Sequence, residues 1–122
     1  MATKVGEIKK HEIDLLGLSV SVGTPVLCGK PNIEHMKAEH PEDYAKYGHY
    51  LEEIIASPKY VALHPKDKSI QYIREYTDGS SGDLVMVAVR TTSSGKHFAR
   101  TLFVMSQEKW EHYTTKGYIK IY

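Results

Sequence analysis

In the second half of the chain apolar and polar residues alternate with period two, in "KYVAL", "SIQYIREYT", "LVMVAVRTT" and "HFARTLFVM". That period predicts β-strands, and the turn compositions "HPKDK", "DGSSGD" and "SSGK" between them predict short loops and an antiparallel meander. Within the third strand Val85, Val87 and Val89 share one face, leaving Leu84, Met86, Ala88 and Arg90 on the other. In the second strand Ile70, Tyr72, Arg74 and Tyr76 share a face. The first half reads differently. Tyr44, Tyr47, Leu51, Ile54 and Ile55 recur at spacings of three and four, which predicts one amphipathic helix of about three turns. Pro41 at its first position and Glu42 and Asp43 in its first turn suit the helix start, and "ASP" at 56–58 stops it.

A shorter helix is expected in "KPNIEHMKAEH", with Pro31 at its first position, Asn32 or Lys30 near the cap, and Ile33 and Met36 inward. Pro41 interrupts it, because proline disfavours helical geometry in the residue before it. Residues 1–24 hold short β-prone runs and glycines without a sustained helical period, so an irregular or strand-bearing extension is expected there, ahead of a core over 25–122. "SQEKWEHYTTKG" predicts a last helix capped by Ser106 and ended by Gly117, before a terminal strand "YIKIY". The expectation is an α+β fold in which N-terminal helices pack on one face of an antiparallel sheet.

Composition sharpens this picture at three points. A chain of 122 residues with 41% apolar content fits a single domain with its own core. One cysteine, Cys28, cannot form an internal bridge, and a secretory leader pattern is missing, so a cytoplasmic setting is expected, with no membrane insertion. Sixteen basic against fifteen acidic residues exclude a strongly basic nucleic-acid coat, yet "RTTSSGKHFAR" from Arg90 to Arg100 holds three cations and a histidine without an acid. That patch suits a phosphate or, equally, a solvated hairpin tip.

Three of the seven histidines fall within "IEHMKAEHPEDYAKYGHYLEEIIASPKY". This stretch, followed by "SIQYIREY", "LVMVAVR" and "ARTLFVM", resembles the phage-associated barnase, EndoU, colicin E5/D and RelE-like (PBECR) nuclease domains over roughly residues 25–122. The resemblance rests on His35 and His40, the latter in His-Pro, on the amphipathic helix ending in "SPKYV", and on strands in which a basic or hydroxyl residue follows an apolar run. It implies a barnase/EndoU/RelE-like ribonuclease fold, helices on one face of the sheet and substrate across the other, in a phage, prophage or toxin setting. Lys59 departs from the family pattern, where an acidic residue is expected between Pro58 and Tyr60.

Metal-independent RNA cleavage needs a base, an acid and fixed cations around one phosphate. Histidine suits proton transfer near neutrality, and the arginine fork suits phosphate oxygens. His40, at the helix break, is the first choice for proton transfer. His35 lies about 140° away around an ideal helix, so it shares His40's side only if the chain turns before Pro41. Arg90 is expected to stabilise the phosphate charge and Thr101 to donate to a phosphate oxygen. Arg74, Lys96, His97 and Arg100 are expected to grip the RNA backbone, and Tyr60, Tyr72 or Tyr76 to offer a ring to an unpaired base. Each also has an ordinary reading: a helix-surface histidine, a cation on an open sheet face, a β-forming threonine, an amphipathic core-edge tyrosine. No metal or other cofactor is expected, since no HExxH, His-x3-His or cysteine pair occurs. The function expected is an endoribonuclease acting on single-stranded RNA or a tRNA loop, with an immunity or antitoxin protein as a further partner. The alternatives are a non-catalytic RNA- or protein-binding module on the same fold, or a phage accessory protein that pairs its terminal strand with another chain.

Overall fold

A computed structural model describes residues 2–77 and 82–122; most of the "DGSSGD" turn expected after the second meander strand therefore lies outside the described residues. The elements run β1 (Thr3–Glu7), α1 (Lys10–Leu16), β2 (Pro25–Cys28), α2 (Lys30–Glu39), α3 (Pro41–Tyr47), a single 3₁₀ turn (Gly48–Tyr50), α4 (Leu51–Ala56), β3 (Tyr60–Leu63), β4 (Ile70–Thr77), β5 (Gly82–Thr91), β6 (His97–Val104), α5 (Gln107–Thr115) and β7 (Lys120–Ile121). The sheet has the order β1-β2-β6-β5-β4-β3-β7.

The expected meander forms: β3 to β6 are antiparallel neighbours in sequence order. The whole sheet is mixed rather than antiparallel, because β2 joins the free edge of β6 in parallel through Val26 and Leu27. Between these two parallel neighbours the chain passes through α2 to α4, which carry it from β2 to β3 on the far side of the sheet, and returns through β4 and β5. The terminal strand pairs within the chain, on β3, through Lys120 and Ile121.

Strand alternation sorts the core into two layers. Val85, Val87, Val89, Tyr72 and Leu102 join Met36, Leu51, Ile54 and Ile55 of the helices on one side. Ile54 and Ile55 are fully buried, each stabilising the fold by roughly 1.5–3 kcal/mol relative to exposure. On the other side Ala62, Ile73 and Met86 pack with Met105, Tyr113 and Trp110. Helices therefore cover both faces: α5 lies on the face expected to be open, because Trp110 and Tyr113 are one helical turn apart and turn inward together. Ser106 caps α5 as expected, its Oγ accepting from Lys109 N at 3.1 Å, and Gly117 takes the left-handed conformation beyond its end.

Two further expectations change. The amphipathic helix is interrupted: α3 passes into the 3₁₀ turn at Gly48, above which the Tyr44 ring sits so close that a Cβ would lie 2.9 Å from it. The apolar face still continues across the break, through Tyr47, Leu51, Ile54 and Ile55. The first 24 residues are more ordered than an irregular extension. β1 pairs with β2, and α1 stands where no helix is expected, carrying only seven residues and a weak period.

Glu12 of α1 is fully buried. It accepts hydrogen bonds from Tyr72 Oη (2.7 Å) and Tyr122 Oη and faces Lys9 Nζ at 3.1 Å. Lys9 Nζ also donates to Ile55 O at 2.7 Å. Burial raises the Glu12 carboxyl, but the bonds from Tyr122, Lys9 and Tyr72 outweigh it and leave its pKa below the usual value. One carboxylate thus joins α1, β4 and the last residue of the chain.

Candidate functional site

α5 does not bury the whole of its face: over β5 and β6, Arg90 is exposed and Ala88, Phe98 and Thr101 are half-buried. Strict alternation along β6 would set Phe98 and Thr101 on opposite faces. A β-bulge prevents this: Val89 pairs with Ala99 and Ala88 with Thr101, leaving Arg100 as the extra residue. Phe98, Thr101 and Phe103 consequently share a face with Arg90, Ala88 and Met86, their partners across the ladder.

Beside this face runs α2. Only Val26 and Leu27 pair with β6, so from Ala99 onward α2 and α3 occupy the strand's flank, and Val104 N donates to Asp43 Oδ2 at 2.9 Å. A cleft of 390 Å³ opens between them, lined by Pro31, Asn32, His35, Arg90, Thr91, Thr92, Phe98 and Arg100. Of the expected site residues, His35, Arg90 and Arg100 meet here, and its lining includes no carboxylate. Arg90 is not isolated from acids altogether. Burial acts to raise Asp67, but hydrogen bonds from Ser69 and the charges of His64 and Arg90 prevail and hold it below the ordinary aspartate value.

His40 ends α2 and precedes α3 with φ −141° and ψ 69°, outside helical geometry. The chain therefore turns before Pro41, and the His40 ring packs on Phe103 at 5.1 Å, on the Phe98 side of β6. The two histidines flank the same strand face, His35 at its Phe98 end and His40 at its Phe103 end. Their surroundings differ: His40 borders a hollow with Glu39, Glu42 and Asp43. Thr101 lies on the face between them, half-buried.

The remaining expected residues stand elsewhere. Arg74 points to the opposite, helical face, where Nη1 donates to Ser57 O at the end of α4 and Nε lies 3.2 Å from Glu53 Oε1. His97 also faces that side; it is buried, its Nδ1 is 2.9 Å from Thr91 Oγ1, and burial lowers its pKa. Tyr60 is two strands away from β5, its ring 5.0 Å from Trp110 under α5, while Tyr72 is fully buried and Tyr76 stacks on Tyr50 and donates to Glu53, so none of the three rings expected for a base lines the cleft. Lys96 is exposed in the β5–β6 turn, where Gly95 adopts φ 82°. Lys59, the departure from the family pattern, pairs with Glu75 at 2.7 Å. Among the described residues no group of three His, Cys, Asp or Glu side chains is placed to hold a metal ion, and no helix is long and apolar enough to cross a membrane.

Sequence reading misses Asn32, Phe98 and Lys109 as site residues. Asn32 Oδ1 accepts from Gly29 N at 2.8 Å, which fixes its amide at the mouth of the cleft. Lys109 Nζ lies 4.7 Å above the Phe103 ring. Phe98 carries a legible signal, an aromatic ring beside cations in "KHFAR", but its face depends on the bulge.

No curated protein and no solved structure gives a significant match to this chain. A family model does match, over residues 3–112, and so takes in β1 and α1, ahead of the expected start at residue 25. With that match spanning the helices, the meander and the cleft, the chain belongs to the phage-Barnase-EndoU-ColicinE5/D-RelE like nuclease3 family.

Proposed function

We propose that this protein is a metal-independent endoribonuclease of phage, mobile-element or toxin type, cleaving single-stranded RNA or a tRNA loop by 2′-hydroxyl transesterification. The observation that carries the reading is the placement of His35, Arg90 and Arg100 around one acid-free cleft. A phosphodiester in that cleft meets two guanidinium groups, whose planar forks fit its oxygens and balance the charge gained at phosphorus. A neighbouring imidazole takes the 2′-hydroxyl proton as the 2′-oxygen attacks phosphorus. The P–O5′ bond breaks, the 5′-oxygen gains a proton, and the products are a 2′,3′-cyclic phosphate and a 5′-hydroxyl.

His35 is assigned to proton transfer at the scissile phosphate, since the arginines stand with it. His40 serves as a second proton-transfer group farther along the strand, with Thr101 between them as a hydrogen-bond donor. The order suggested by sequence, His40 first, is reversed in this reading because the carboxylates of Glu39, Glu42 and Asp43 beside His40 repel a phosphate. Lys96 in the adjoining turn meets the RNA backbone. An immunity or antitoxin protein would cover this acid-free cleft.

The test is incubation of the purified chain with end-labelled RNA in EDTA. Cleavage leaving a 2′,3′-cyclic phosphate, absent for a 2′-deoxy substrate and lost in Arg90→Ala, is expected. RNA bound but not cut by the wild-type chain moves the assignment to the binding module.

A further inference from the structure

The cationic cleft has a neighbour. A second hollow of 370 Å³ is lined by Ala2, Gly29, Lys30, Pro31, Asn32, Thr92 and Phe98. Pro31, Asn32, Thr92 and Phe98 line both, so one wall divides a polar, arginine-bearing cleft from a mostly apolar hollow. This geometry is that of a nucleotide opened into its parts: a phosphate on one side of the wall and a flat apolar ring on the other.

The side chains of the wall support that division. Phe98 is half-buried, and among the described residues no other aromatic ring stacks on it, unlike Phe103, which is flanked by His40 and Lys109. Asn32 has its Oδ1 engaged by Gly29 N, whereas its Nδ2 has no protein acceptor among the described residues. The amide is therefore held in one orientation with its donors outward. Charge agrees as well: Lys30, His35, Arg90 and Arg100 line the two hollows and no carboxylate does.

We propose that the second hollow is a base subsite, in which the unpaired base next to the phosphate in the cationic cleft stacks on Phe98 and accepts a hydrogen bond from Asn32 Nδ2. The proposal rests on the nucleic-acid reading of the cationic cleft and adds to it which nucleotide part binds where. It makes Phe98 and Asn32 the residues through which the protein responds to the base rather than to the backbone.

The experiment measures binding of the full chain to fluorescein-labelled 2′-O-methyl oligoribonucleotides, which lack the attacking hydroxyl, in EDTA. Each oligomer is compared with one of the same length built of abasic sugar-phosphates. The wild type is expected to prefer the base-bearing oligomer by roughly tenfold, the size of one aromatic–base stack. Phe98→Leu, which keeps an apolar side chain in place, brings the base-to-abasic ratio close to one, a readout from which any common effect on the shared cleft cancels. Asn32→Asp keeps the acceptor for Gly29 N and removes the donors. It lowers the base-to-abasic ratio, from which any uniform repulsion of phosphate cancels. A wild-type chain indifferent to bases, or a ratio unchanged in both variants, overturns the base subsite. Arg90→Ala separates this from the underlying reading: it weakens both oligomers together if phosphate occupies the cationic cleft. If it weakens neither, the phosphate assignment and the base subsite fall with it.

Discussion

The imidazole of His40 rests on the ring of Phe103, centroid to centroid 5.1 Å with a tilt of 32°. This contact places His40 over the far end of the β6 face while His35 lines the cleft with the arginines. The two histidines are consequently expected to respond differently to truncation. His35→Ala should lower the cleavage rate about a hundredfold or more, the range of a lost general acid or base. His40→Ala should lower it about tenfold or less. Single-turnover rates at saturating RNA check the order, and a larger loss in His40→Ala would return the proton-transfer role to that residue.

Arg90 and Arg100 line one cleft from different backbone settings, a regular ladder position and a bulge. Arg90→Lys is expected to lose about tenfold or more in cleavage, because an ammonium group cannot reproduce the bidentate fork. The salt dependence of RNA binding should become shallower in Arg100→Ala, by about one phosphate contact.

Arg74 is expected to matter for stability alone. Its guanidinium holds Ser57 O and Glu53 at the end of α4, on the helical face of the sheet. Arg74→Ala should cost about 1–2 kcal/mol in denaturant unfolding, with the cleavage rate of the folded protein unchanged. A selective loss of cleavage would place RNA on the helical face instead.

Removing the buried carboxylate of Glu12 should destabilise strongly. Glu12→Ala leaves the hydroxyls of Tyr72 and Tyr122 without their acceptor and the Lys9 ammonium without its counter-charge, holding only Ile55 O, at a cost of about 3–5 kcal/mol. Because the folded-state pKa of Glu12 is depressed, its contribution is present above the ordinary glutamate pKa and is lost as pH falls through the folded value. Glu12→Gln should flatten the acid limb of a stability-against-pH curve.

His97 adds a second acid-sensitive step at higher pH. Burial lowers its pKa, so between the ordinary histidine value, about 6.5, and the folded value the unfolded chain binds more protons. Stability should therefore decline as pH falls below about 6.5 and level off once both states are protonated. Thermal melts of the wild type and of His97→Gln, which keeps a polar partner for Thr91, measure the difference.

Short-range patterns carry much of this architecture on their face. The valine row of β5, the Ser106 cap, the Pro41 helix start and the order β3 to β6 all follow from periods, caps and turn residues acting within a few positions. The family resemblance was legible in the same stretches, and the matched model extends it to residue 3. The parallel pairing of β2 with β6, the packing of α5 on the second face and the burial of Glu12 were decided only in three dimensions. Each joins segments tens of residues apart, and no local period encodes which distant edge or face a segment will cover. The candidate site divides the same way. Sequence supplied the histidines and arginines as residue types. The turn at His40 and the bulge at Arg100 then settled which of them share a face, because a change of one residue in register moves every following side chain to the other side of a strand.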